Sequence, residues 1–162
     1  MRKIRIYLET SVIGDFDADS ERGATTREFF RIVKANADEY ELVVSPMLLQ
    51  EIDAAPTEKQ QALLVILQSL DYIEMPEQDE ANNLAKQYIA AGVLGKKHIN
   101  DLTHVAYAVL ARCDYIVSWN MKHIVRAKTM SGVQAFNRVN YFHSPNFVTP
   151  TAFTGELNYV ND

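Results

Sequence analysis

Cysteine is almost absent from this chain: Cys113 is the only one in 162 residues. A single thiol excludes an intrachain disulfide and fits a reducing compartment. It also sits in an apolar helical stretch, where a buried inert thiol is expected rather than a nucleophile. Long apolar runs are missing too, and none approaches the roughly 20 residues that span a bilayer. Met1-Arg2-Lys3 is a basic start, but the apolar run behind it is too short and too soon charged for a signal peptide. A cytoplasmic protein with no membrane segment is expected. Glycine and proline are sparse, at 6 and 5 residues. No glycine-rich phosphate loop, interdomain linker, repeat or low-complexity tract is found.

Positive charge is in deficit, with a net charge of −5, which argues against a generally basic nucleic-acid binder. The deficit is uneven. Residues 1–94 carry 9 Lys/Arg against 17 Asp/Glu, whereas residues 95–162 carry 7 against 4. A local basic surface in the second part can attract phosphates on an acidic protein; scattered cations that only solvate helices would give the same composition.

What is present suits one α/β domain. Ile4, Ile6 and Leu8 alternate in a strand over residues 3–8, followed by an acidic loop from Asp15 to Gly23 and a helix starting at Thr25 or Thr26. Glu41 to Ser45 reads as a second strand. Ser45-Pro46 then opens a helix, with an N-cap followed by proline at the first position. Another helix starts at Thr57, a strand runs from Tyr72 to Met75, and a helix runs from Pro76 to Ala91. Asn100 is expected to cap a helix whose apolar positions Leu102, Val105, Ala106 and Val109 recur at helical steps. Tyr115 to Trp119 is a strand, Lys122 to Lys128 helical, and Phe147-Val148 a last short strand. Strands alternating with helices predict a mainly parallel sheet covered on both faces. Such sheets place their sites beyond the carboxyl ends of the strands.

That rule selects Glu9 after the first strand, Glu51 in the helix after the second, and Asn120 after the strand through Ser118. Asp101 joins them from the first turn of a helix, whose dipole keeps a carboxylate ionised. Oxygen ligands converging on one crevice favour Mg²⁺ or Mn²⁺. Each residue also has a plainer reading. Glu9 could cap a turn, Glu51 could be a solvated helical residue, Asp101 a helix-start residue, and Asn120 a turn residue.

Other chemistries fit less well. Asp15, Asp17 and Asp19 alternate like a calcium loop, but Ser20 and Thr26 stand where glycine and glutamate are required. His98, His104 and His123 have no zinc spacing. His104 lies one turn from Asp101 and could touch a substrate; a surface or core histidine is the commoner role. Ser11 and Ser118 lack the context of a nucleophile elbow.

Four segments add a further signal. Ile6-Tyr7-Leu8-Glu9-Thr10-Ser11-Val12-Ile13 and Ser45-Pro46-Met47-Leu48-Leu49-Gln50-Glu51-Ile52 are the first two. The third is His98-Ile99-Asn100-Asp101 with His104-Val105-Ala106, and the fourth Asp114 to Asn120 with Lys122-His123-Ile124. In this order they resemble the successive motifs of PIN domains, a family that includes the VapC-like toxins of toxin–antitoxin pairs. Asn140-Tyr141 and Thr149-Pro150 resemble the tail of one PIN subgroup.

The resemblance implies a three-layer α/β/α PIN-like domain over residues 1–150, with a C-terminal tail at 151–162. By position, Glu9, Glu51, Asp101 and Asn120 match the family's acidic metal ligands, and Ser118 matches a supporting Ser/Thr. Two positions depart from the pattern: glutamate replaces the usual aspartate at 9, and the uncharged Asn120 replaces the fourth acid. The implied activity is hydrolysis of RNA by metal-activated water, leaving a 5′-phosphate and a 3′-hydroxyl. Lys96, Lys97, Lys122 and Arg126 are the candidates for gripping the backbone. An antitoxin partner and a homodimer are implied, with Tyr88, Leu94 and the 57–70 helix as dimer contributors. Two other readings stay open: a PIN-like RNA-binding or regulatory module with little turnover, and an unrelated α/β protein that binds a small anion.

Overall fold

The computed structural model describes residues 2–159. Five strands, β1 (Ile4–Leu8), β2 (Tyr40–Val44), β3 (Tyr72–Glu74), β4 (Tyr115–Val117) and β5 (Asn146–Val148), form one sheet in the order β3-β2-β1-β4-β5. Every pairing is parallel, as the alternation of strands and helices predicts. β1 is central. Its register against β2 pairs Ile6 with Leu42, and against β4 it pairs Leu8 with Val117.

Both faces of the sheet are buried, which is why β1 and β2 read as nearly continuous apolar runs. On one face Ile6, Leu8, Leu42, Val44 and Val117 pack against α1 (Thr10–Gly14), α2 (Glu21–Ala35), α3 (Pro46–Asp53) and α4 (Thr57–Gln68). On the other, Tyr7, Val43 and Ile116 pack against α5 (Asp79–Ala90), α6 (Ile99–Leu110) and α7 (Ala127–Asn140). Each fully buried Leu or Ile contributes roughly 1.5–3 kcal/mol. The two layers thus clamp β1 from both sides and fix the direction of the residues that leave its end.

Several boundaries depart from the sequence expectations. α2 starts at Glu21, four residues before Thr25, because the Ser20 hydroxyl accepts the Gly23 amide at 3.2 Å. No side chain could stand at Gly23, where a Cβ would lie 1.8 Å from the Ala18 carbonyl oxygen. α6 begins at Ile99 with His98 at the cap position, so Asn100 is inside the first turn rather than a cap. The expected helix over 122–128 is a series of turns through residue 126, and α7 begins only at Ala127. Pro76 lies outside α5, which begins at Asp79. Residues 151–159 form a helix, α8, whose Phe153 ring meets Phe29, Tyr40 and Tyr115. Tyr88 and Leu94, expected at a dimer surface, are buried inside the chain instead; the Tyr88 hydroxyl donates to Asn137 Oδ1 at 2.6 Å.

Candidate metal centre

β1 lies between β2 and β4, so the chain leaves it to one side for β2 and later returns on the other side for β4. A parallel sheet opens a crevice at such a switch point, beyond its carboxyl ends. Glu9 follows β1 directly, and Ser118-Trp119-Asn120 follows β4. Glu51 arrives on α3, which is launched from β2 by the Ser45 cap and Pro46. Asp101 arrives in the first turn of α6. All four of Glu9, Glu51, Asp101 and Asn120 line one cleft of about 460 Å³.

Within the cleft the four are held differently. Glu9 caps α1 and is only 5% exposed, so the plain capping role and the cleft position coincide in one residue. Its Oε2 accepts the Ser11 amide at 3.2 Å, the Ser118 hydroxyl at 2.7 Å and the Ser11 hydroxyl. The two serines in turn accept backbone amides at 2.9 Å, Ser11 from Trp119 across the crevice and Ser118 from Asn120 within its own turn. Ser118 therefore supports Glu9 directly while bracing the end of β4.

Glu51 Oε1 accepts the Thr10 hydroxyl at 3.0 Å and pairs with His104 Nε2. Burial pushes the Glu51 carboxyl upward, but its contacts with His104 and Thr10 hold the pKa below its ordinary value. His104 is 1% exposed, and sequence reasoning favoured a surface or core role for it. It is a core residue whose outer nitrogen nevertheless reaches the crevice. The ligand-type atoms of Glu9, Glu51 and His104 lie within 4.8 Å of one another.

Asp101 is outside that tight group. Its Oδ1 accepts the Asn120 side-chain amide at 3.4 Å, and its Oδ2 lies 3.3 Å from His98 Nδ1. The Asn120 carbonyl oxygen accepts the His123 amide at 3.0 Å. As placed, that oxygen braces the turn after β4 rather than facing the carboxylates, the turn role that asparagine suits. The His98 and His123 rings lie against each other at 3.9 Å, which joins the short turn over Lys96–His98 to the turn after β4.

Lys96, Lys97, Lys122 and Arg126 are exposed and do not line the cleft. The cations that do are Arg22 and Lys59. Arg22 lies over the Trp119 ring, 5.1 Å from its centre, and Trp119 is itself fixed by its Nε1–H donating to Thr26 at 2.9 Å. Sequence reading passed over Arg22 because it fell in what read as a loop, and Lys59 because it lies in a polar helix start.

Among the described residues, no Lys or Arg forms an ion pair with Glu9, Glu51 or Asp101. A larger cavity of about 600 Å³ lies elsewhere, but its acids Glu41 and Asp71 are accompanied by Lys3, Arg27, Arg31 and Lys34. Size therefore does not mark the site; an excess of carboxylates over cations does. A nearly buried glutamate beside a second carboxylate is costly unless a cation or strong donors offset it. Oxygen donors with one nearby imidazole suit a hard or borderline divalent cation, so these residues fit such an ion.

No family model and no curated protein sequence matches the chain. Among solved structures, the chain is similar to VapBC2 from Rickettsia felis, whose structure was determined bound to a DNA fragment from their promoter. The likeness covers 90% of this chain and 98% of that one, with a TM-score of 0.56 and 15% sequence identity. The five-stranded parallel sheet between helical layers therefore shares the fold of that structure and is consistent with a PIN-like fold.

Proposed function

We propose that this chain is a metal-dependent endoribonuclease and the toxin of a toxin–antitoxin pair. The observation that carries the proposal is the gathering of Glu9, Glu51 and Asp101 at one crevice without a Lys or Arg ion pair among the described residues. The fold shared with VapBC2 supports the same reading and supplies the reason to expect an antitoxin.

In this reading Glu9 and Glu51 hold Mg²⁺ or Mn²⁺, Asp101 adds a carboxylate from the rim, and Asn120 ties Asp101 to the end of β4. When bound, the ion supplies Lewis acidity, lowering the pKa of water and offsetting phosphate charge. Ser118 and Ser11 keep Glu9 aimed by saturating its Oε2. Arg22 and Lys59 grip the scissile region of the RNA backbone. Lys96, Lys97, Lys122 and Arg126 extend the grip beyond the cleft. A 1–150 catalytic unit, a homodimer and a cytoplasmic setting complete the proposal.

A second reading, an RNA-binding module with little turnover, is favoured by Asn120: it brings no charge, and its carbonyl is turned to the His123 amide. Cleavage of mixed RNA, titrated with Mg²⁺ or Mn²⁺ and run beside Asp101→Asn, separates the two. Metal-dependent cleavage that falls in the variant supports the nuclease. Equal cleavage by both proteins overturns it, and RNA binding without cleavage selects the module.

A further inference from the structure

A buried chain of hydrogen bonds runs behind Glu51. The Met47 amide donates to Ser45 Oγ at 3.2 Å, Ser45 Oγ lies 2.7 Å from the Tyr7 hydroxyl, and that hydroxyl lies 2.6 Å from His104 Nδ1. His104 Nε2 then meets Glu51 Oε1. Tyr7 and Ser45 are fully buried and His104 nearly so. The chain begins and ends on α3, passing through β1 and α6.

Counting protons fixes its direction. Ser45 Oγ already accepts the Met47 amide, and its other partner among the described residues is the Tyr7 oxygen. The serine's own proton therefore goes to Tyr7, since a buried hydroxyl proton left without an acceptor is costly. Tyr7 is fully buried, and its phenol carries one proton with two partners, Ser45 and His104. With Ser45 donating to it, Tyr7 gives its single proton to His104 Nδ1. An Nδ1 that accepts carries no proton, so the proton of the ring sits on Nε2. Reversing the chain would strand the serine proton.

We infer that His104 is a positioning residue, set by Ser45 and Tyr7 as an Nε2–H donor that holds Glu51 Oε1, and is not itself a metal ligand. Thr10 donates to the same oxygen at 3.0 Å, and its hydroxyl lies 3.4 Å from His104 Nε2. Two donors on Oε1 leave Oε2 as the oxygen available to a cation. Outer partners of this kind fix the orientation of a ligand, and their loss typically costs about 10–100-fold in metal affinity. The inference rests on the proposed role of Glu51, but the tautomer of His104 can be read with neither metal nor RNA present.

The test is ¹⁵N NMR of the four histidines in the full chain, with His104 assigned by comparison with His104→Gln. The expected spectrum has His104 protonated at Nε2 with Nδ1 as acceptor, unchanged by Mg²⁺. In Tyr7→Phe the preference for that tautomer weakens. Mn²⁺ affinity, measured by calorimetry, falls about tenfold in Tyr7→Phe and in His104→Leu, and less in His104→Gln, whose amide keeps a donor near the Nε2 position. A wild-type His104 protonated at Nδ1 alone, or an Nε2 that loses its proton when Mg²⁺ is added, overturns the inference. Wild-type affinity in both Tyr7→Phe and His104→Leu, with circular dichroism showing both folded, overturns it equally. A chain that binds Mn²⁺ through this relay yet leaves RNA intact would lose the nuclease reading and keep the relay.

Discussion

At the amino end of the sheet, Asp114 is held by Arg2 at 2.9 Å and Glu41 by Arg5 at 2.7 Å. At the carboxyl end, Glu9, Glu51 and Asp101 draw on hydroxyl, amide and imidazole donors, with no Lys or Arg ion pair among the described residues. The contrast separates carboxylates that tie the fold together from carboxylates that are aimed. A donor such as Ser118 can orient a carboxylate without cancelling its charge, and that charge remains for a cation. Uncompensated charge of this kind is often retained for function at some cost in stability.

The contrast breaks most sharply at Glu51. Glu51→Gln keeps the shape and removes the charge, and RNA cleavage should fall by more than about 100-fold, beyond the range set by indirect partners. Thermal denaturation of the same variant in chelator should show only a small loss of stability, since the Gln carbonyl still accepts from Thr10 and His104 and only the charge-assisted part of those bonds is lost. A large drop in the melting temperature would instead make Glu51 a structural residue like Asp114.

Arg22 sharpens the comparison from the other side. If it grips phosphate rather than balancing the acids, Arg22→Ala should weaken RNA binding about tenfold and make its salt dependence shallower by about one counterion. Filter binding across a salt series measures both. An unchanged slope would return Arg22 to a packing role over Trp119.

At the amino end the effect should appear in stability alone. Burial pulls the Asp114 carboxyl up, but the Arg2 hydrogen bond, the Arg5 amide at 2.8 Å and the attraction of Arg2 hold it below the ordinary 3.8. A depressed folded value stabilises the fold above 3.8, and that contribution is lost as pH falls through the lower folded value. Asp114→Asn should therefore lower the urea midpoint at neutral pH, with the gap to wild type closing in acid. Metal binding should not change. The smallest effect is expected at Cys113, whose thiol burial pushes up to about 12. Alkylating reagents should leave it unlabelled in the native state, with cleavage unaffected.

Much of this arrangement was legible in the residues themselves. The alternation in β1, the Ser45-Pro46 helix start and the switch-point rule point to Glu9, Glu51 and Asn120, while Asp101 is added by its helix-start position and by the resemblance to PIN motifs; all four line one cleft. Their division into a tight group and a rim was not legible, because it depends on side-chain partners from distant segments. His104 sits among Leu102, Val105 and Ala106 and has the spacing of a core residue; only the fold shows that its Nε2 comes out beside Glu51. Arg22 reads as loop in the sequence because the Ser20 cap and the close approach at Gly23 become evident only in the fold. α7 carries little sequence signal because no side chain caps it at Arg126 and Gly132 interrupts its apolar pattern. There Gly132 meets Val93, with a Cβ reaching 3.2 Å from its side chain, a packing reason that sequence alone does not carry.

The most direct measurement is calorimetric titration of the whole chain with Mn²⁺. The account predicts saturable binding in the wild type that survives Asp114→Asn and disappears in Glu51→Gln. Absence of saturable binding in the wild type, or equal binding in all three proteins, would contradict it.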